Sequence, residues 1–240
     1  MDWVRIKRVP VLCFQEAFTV SGRAKMKTYL EQCGYDVRVP RDDCRGLLTS
    51  GLLTAVAQDS YTILTDVFQP YMHFSNVDGL TNKGFHSLLL QDPKGGLVHI
   101  VNTHTQSDEE ILPPWTTLSY RKGIRHKQAE QILDYHENAA YPVLVVGDLN
   151  QESSLHPYLR SLHPPSSYPI KKATFFQTGE DLDHVAWMPV QWSRRLGCGF
   201  CGDYGPALTY CRVHTVQWSD HAPVELKVLL RFPKEARSPI

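Results

Sequence analysis

The segment Tyr141 to Asn150 (YPVLVVGDLN) is an unbroken apolar and β-branched run that ends in Gly147, Asp148, Leu149 and Asn150. A run of this kind reads as a buried strand, because a strand covered on both faces carries apolar side chains at consecutive positions. It delivers a carboxylate and an amide side by side at its mouth. Four more polar groups stand at or next to the ends of β-like runs: Phe14-Gln15-Glu16, Asn102-Thr103-His104, Leu182-Asp183-His184 and Ser219-Asp220-His221.

The rest of the chain supplies layers for such a strand. Val9 to Phe14 reads as a strand, and Ser21 to Cys33 as an amphipathic helix capped by Ser21, with Gly34 just past its end. Tyr35 to Val39, Leu52 to Ala57 and Tyr61 to Phe68 have strand composition with turn residues between them. Lys83 to Gln91 and Leu97 to His104 flank Asp92-Pro93-Lys94-Gly95-Gly96, which predicts a hairpin. Gln106 to Ser119 reads as a surface loop, Arg121 to Asn138 as a surface helix, and Val143 to Val146 as the strand that ends in GDLN. A short helix at Leu155 to Leu162 and strands at Leu182 to Trp187 and Ala222 to Leu230 complete the reading; Met188 to Trp218 resists assignment. Strands outnumber helices, and the helices fall between groups of strands. That order predicts an α/β (α+β) architecture with two mostly antiparallel sheets packed face to face and helices outside.

Composition narrows the function. A chain of 240 residues with 42% hydrophobic content buries a large core, and no linker divides it, so 1–240 is expected to be one domain. Lys plus Arg (25) balance Asp plus Glu (25), which removes the global basic field that gathers nucleic acid. Of the six cysteines, only Cys198-Gly-Phe-Cys201 has metal or redox spacing, and it lacks a second pair. No apolar stretch reaches the roughly 20 residues that span a bilayer, and no cleavable leader is visible. As written, the sequence reads as cytoplasmic.

The strand-end groups fit phosphodiester hydrolysis, which requires an activated water, a cation and donors for the phosphoryl oxygens. Glu16 suits Mg²⁺, a hard cation that accepts carboxylate oxygen while keeping several waters. Asp148 and Asn150, two apart on an extended segment, point to one side and jointly hold phosphate and water. His221 is a candidate general base with Asp183 fixing its tautomer, which leaves Asp220 for the metal and His104 for a phosphoryl oxygen. Each residue also has a structural alternative: Glu16 as the start of a turn, His104 as a histidine satisfied by backbone, Asp148-Leu149-Asn150 as an Asx-turn closing a strand. Five such groups in this order are hard to obtain from turn preferences alone.

The order QE, NTH, GDLN, LDHV, SDH resembles the endonuclease/exonuclease/phosphatase superfamily, from Phe14 to Leu230. Within it, Gln15-Glu16-Ala17-Phe18, Asn82-Lys83-Gly84, Thr103-His104-Thr105-Gln106 and the helix pair Arg125 and Gln128 are similar to neutral sphingomyelinase. The resemblance implies a four-layer α/β/β/α, DNase-like sandwich and the cleavage of sphingomyelin to ceramide and phosphocholine. It implies Mg²⁺, with Mn²⁺ or Co²⁺ as substitutes, held by Glu16, Asp148 and Asp220. It further implies His221, Asp183, His104, Asp148, Asn150 and Asp220 as the catalytic set, and Lys83, Asn150 and His104 as substrate-binding groups. Lys83 beside a glycine turn has the alternative of an ordinary surface lysine.

The substrate would be a phospholipid, with peripheral membrane contact as a family implication; Tyr71, Phe74, Trp192 and Phe200 are candidates for a small lipid-facing patch. Family members carry an asparagine on a strand upstream of the QE strand, and Met1 to Pro10 contains none. The family's first strand is therefore expected to be missing. A nuclease or phosphoinositide phosphatase of the same superfamily, and a truncated, catalytically weak binding paralogue, are the competing readings.

Overall fold

The computed structural model describes residues 2–41, 48–108, 118–150, 160–161, 183–188, 207–213 and 224–229. In chain order these form helix α1 (Asp2–Lys7), strand β1 (Val11–Phe14), helix α2 (Val20–Gln32), β2 (Tyr35–Arg38), β3 (Leu53–Ala57) and β4 (Thr62–Pro70). A 3₁₀ turn (Asn76–Leu80), β5 (Gly84–Gln91), β6 (Leu97–His104), helix α3 (Leu118–Tyr135) and β7 (Val143–Asp148) follow. The last elements are β8 (Arg160–Ser161), β9 (Asp183–Met188), β10 (Ala207–Val213) and β11 (Val224–Leu229).

The strands make a sheet of order β1-β3-β2, a larger one of order β4-β5-β6-β7-β9-β8, and the pair β10-β11. All pairings are antiparallel except β6 with β7, between which α3 forms the crossover. Side chains alternate across each strand, so each sheet has two faces to cover. Leu53 and Ala55 of β3 pack with Leu30, Tyr35 and Val37 against α2, while Phe85, Val101, Val143 and Val145 pack with Ile132 against α3. The inward faces meet in a third cluster of Val56, Leu88, Leu90, Val98, Ile100 and Leu144. The order of layers is helix, sheet, sheet, helix, as the resemblance implied.

Several local expectations needed correction. Thr19, and not Ser21, caps α2: its Oγ1 accepts from the Gly22 amide at 3.2 Å, and Ser21 lies inside the first turn. Helix α3 starts at Leu118, inside the stretch read as loop. Arg160 and Ser161, placed in a short helix by sequence, pair with Trp187 and Ala186 of β9. That two-residue strand has no apolar alternation of its own, so only the neighbouring strand dictates it. The remainder of Leu155–Leu162 lies outside the described residues, as do Trp192, Phe200, Cys198 and Cys201. Strand β10 lies in the stretch left unassigned by sequence. None of the helices among the described residues is long and apolar enough to cross a membrane.

Candidate active site

The parallel pairing of β6 and β7 sets His104 directly opposite Asp148, the last residues of both strands. Parallel strands have slanted, evenly spaced hydrogen bonds and run out at the same end, so two polar residues emerge together. His104 Nε2 stands 3.5 Å from Asp148 Oδ2, and both side chains are buried. One residue earlier, Gly147 has φ 144°. A Cβ there would stand 1.9 Å from the Thr103 carbonyl oxygen, so glycine alone allows the two strands to run this close.

Lys83 lies beneath this pair and not on the surface. Its ammonium is 2.9 Å from Asp78 Oδ1, donates to the Thr105 carbonyl at 2.8 Å and reaches His104 Nε2 at 3.2 Å. His104 Nε2 thus stands between an ammonium, which only donates, and the Asp148 carboxylate, which only accepts. Asp78 also accepts from the Ser107 amide at 2.8 Å and from the Ser107 hydroxyl at 3.2 Å. This carboxylate ties the 3₁₀ turn to the exit of β6. Sequence reasoning missed it, since one acid in Asn76-Val77-Asp78-Gly79 looks like ordinary turn chemistry. The available signal was Lys83 itself, which needs a counter-charge once buried.

Asp148 and Asn150 do not lie on an extended segment. Asn150 has φ 48°, its amide donates to Asp148 Oδ1 at 2.8 Å, and its side-chain Nδ2 turns back to the Thr105 carbonyl at 3.3 Å. The Asx-turn that sequence offered as an alternative is therefore present, and it serves the site. It occupies one oxygen of Asp148 with the turn and leaves the other facing His104. Arg125 and Gln128 of α3 brace the same exit: Gln128 Oε1 accepts from the Gln106 amide at 2.9 Å, and Arg125 donates to the Gln106 carbonyl at 3.1 Å.

Glu16 is exposed at the end of β1 with φ 61°. The preceding Gln15 donates from Nε2 to Asn102 Oδ1 at 2.7 Å, which brings the QE and NTH strand ends together across the two sheets. Asp183 pairs in register with Asp148 as the first residue of β9. Asp220 and His221 lie outside the described residues. Among the described residues no three His, Cys, Asp or Glu side chains converge as a metal cage. The donors fit Mg²⁺ nevertheless, since that ion takes one or two carboxylates and keeps its remaining waters. Of the implied ligands, Glu16 and Asp148 are described, Glu16 just past the end of β1 in one sheet and Asp148 at the end of β7 in the other.

The layer order, with polar groups gathered at strand ends, is that of a DNase-like α/β/β/α sandwich. No family model matches the sequence, and no curated protein matches it either. Solved structures do. An endonuclease/exonuclease/phosphatase from Bacteroides vulgatus superposes with a TM-score of 0.68 at 16% identity, over 96% of this chain and 88% of the other. Sphingomyelinase C from Streptomyces griseocarneus gives 0.61 at 19% identity, over 90% and 85%. A beta toxin mutant from Staphylococcus aureus with bound magnesium ions gives 0.64 at 16% identity, over 93% and 92%.

Proposed function

We propose that this chain is a Mg²⁺-dependent phosphodiesterase that hydrolyses sphingomyelin to ceramide and phosphocholine. The observation that carries the reading is the pairing of His104 with Asp148 at the β6/β7 exit, where Asn150 turns back to Thr105 and where Gln15, next to Glu16, bonds Asn102 of β6. The EAF and NKG pieces of the sequence direct it to a phospholipid head group, and the likeness of fold to a sphingomyelinase C is compatible with that choice.

Magnesium, when bound by Glu16 and Asp148 with Asp220, supplies positive charge against the phosphoryl oxygens. The chain's own residues do the rest. Asn150 and Asp148 orient the phosphate and the attacking water, and His104 donates to a phosphoryl oxygen. Lys83 adds charge from beneath that ring. His221 takes the water's proton with Asp183 as its partner. Peripheral contact with the lipid surface follows from a substrate that resides in a bilayer.

Purified protein with Mg²⁺ is offered sphingomyelin vesicles, plasmid DNA and a soluble inositol phosphate. Release of phosphocholine alone supports the reading. Cleavage of DNA or the inositol phosphate alone would overturn the lipid assignment and favour a nuclease or phosphatase on the same site. Binding of vesicles without turnover would favour the inactive paralogue.

A further inference from the structure

Above the apolar inter-sheet cluster lies one continuous polar row. Asp66 on β4 is partly exposed and takes His86 Nε2 at 2.8 Å; the His86 ring is fully buried on β5. Its Nδ1 meets Thr54 Oγ1 of β3 at 3.2 Å. Thr54 Oγ1 in turn accepts from Asn102 Nδ2 at 3.2 Å, and Asn102 Oδ1 accepts from Gln15 at 2.7 Å. Asn102 also donates to the Phe14 carbonyl at 3.2 Å and to the Leu53 carbonyl at 3.1 Å.

With the His86 ring neutral, the chemistry of each member sets one direction. A carboxylate accepts, so His86 carries its proton on Nε2 and Nδ1 accepts from the Thr54 hydroxyl. That hydroxyl, having used its proton, accepts from Asn102. The amide of Asn102 is thereby oriented, with its oxygen fixed toward Gln15. Every donor from Gln15 onward points toward Asp66, and hydrogen bonds in such a series strengthen one another.

The row ends beside a backbone position that needs support. Glu16 has φ 61°, in the left-handed region, a conformation that persists in a non-glycine residue only where the surroundings impose it. On one side Asn102 grips the Phe14 carbonyl and the Gln15 side chain; on the other, the Ala17 amide donates to the Gly51 carbonyl at 2.8 Å. We propose that Asp66, His86, Thr54 and Asn102 are positioning residues that fix the Glu16 carboxylate for its cation. The inference rests on the metal-dependent reading of the site.

The test is Mg²⁺ affinity by isothermal titration calorimetry, with folding checked by denaturation midpoint. Thr54→Val removes the hydroxyl at nearly constant volume and is expected to raise the Mg²⁺ Kd about fivefold, as one hydrogen bond of about 1 kcal/mol implies. Thr54→Ser keeps the hydroxyl and retains the wild-type Kd. Asp66→Ala, at the partly exposed end, raises Kd in the same direction and decides the matter should the valine variant fail to fold. Ser87→Ala provides the contrast: Ser87 bonds His136 Nε2 at 2.9 Å on the opposite face of β5, so its loss lowers the midpoint without moving Kd. Wild-type binding with an unchanged Kd in Thr54→Val and Asp66→Ala overturns this inference alone, as does an equal shift in Ser87→Ala. Absence of Mg²⁺ binding by the wild type overturns the metal-dependent reading and this inference with it.

Discussion

Removing one member of the Lys83–Asp78 pair strands a charge in the interior. The side chains are 3% and 7% exposed and 2.9 Å apart, so neither has water to fall back on. Breaking a buried pair from one side costs about 3–5 kcal/mol, a large share of the roughly 5–15 kcal/mol that holds a domain folded. Lys83→Met and Asp78→Asn should each lower the melting temperature by about 6–20 °C, at about 2–4 °C per kcal/mol for a chain of this size. The double variant removes both charges, while the amide introduced at position 78 still accepts from Ser107. Its loss should therefore fall short of the sum by about 2–3 kcal/mol. Urea denaturation of the four proteins closes the cycle. Single losses below about 1 kcal/mol, or additivity within about 0.5 kcal/mol, would refute the idea that the pair is desolvated and mutually dependent.

Gly147→Ala forces β6 and β7 apart, combining about 1–3 kcal/mol of overpacking with a similar backbone cost; a fall of at least about 5 °C in melting temperature is expected, and retention of the wild-type value would contradict the 1.9 Å approach to Thr103. Burial, helped by the neighbouring His136, pulls His99 down from 6.5 to about 4, and burial also lowers His136 against the opposing bond to the Ile132 carbonyl. Both rings are held neutral, so the unfolded chain binds protons that the folded chain refuses. Their contribution is complete above about pH 6.5 and is lost as pH falls toward about 4. Denaturant midpoints at pH 7.5 and 5 should show the loss, and His136→Gln should reduce it; identical midpoints would exclude the effect. His221→Ala should lower phosphocholine release about 10²- to 10⁴-fold at saturating substrate, the share a general base supplies, and an unchanged rate would remove His221 from that role.

The strands with apolar runs were legible because burial on both faces leaves composition no alternative: β3, β5, β6 and β7 all fall where Leu, Val and Ile accumulate. The polar endings of β6 and β7, and of β1 before them, pointed to His104, Asp148, Asn150 and Glu16 for the same reason, a polar group standing where an apolar run stops. Thr54 and His86 were invisible. Each sits inside a largely apolar strand, and its polar partners lie on other strands, Thr54 facing His86 across the two sheets and Asp66 reaching His86 from β4. Asp78 escaped notice because its partner is five residues away, just ahead of β5. Asn150 was misjudged as extended, since sequence spacing carries no information on a positive φ that a side-chain bond stabilises.

The crossover through α3 also decides where this protein is free to vary. Because β6 and β7 run the same way, the connections that leave them both start at one rim, beside His104 and Asp148. Lengthening such a connection costs little, about 0.6 kcal/mol for each doubling of a flexible loop. The sandwich below is untouched by such changes, being closed by the Gly147 contact and the packed clusters on either side. A chain built this way can exchange the walls that greet a substrate, a bilayer or a soluble polyanion, while the atoms beneath keep their places.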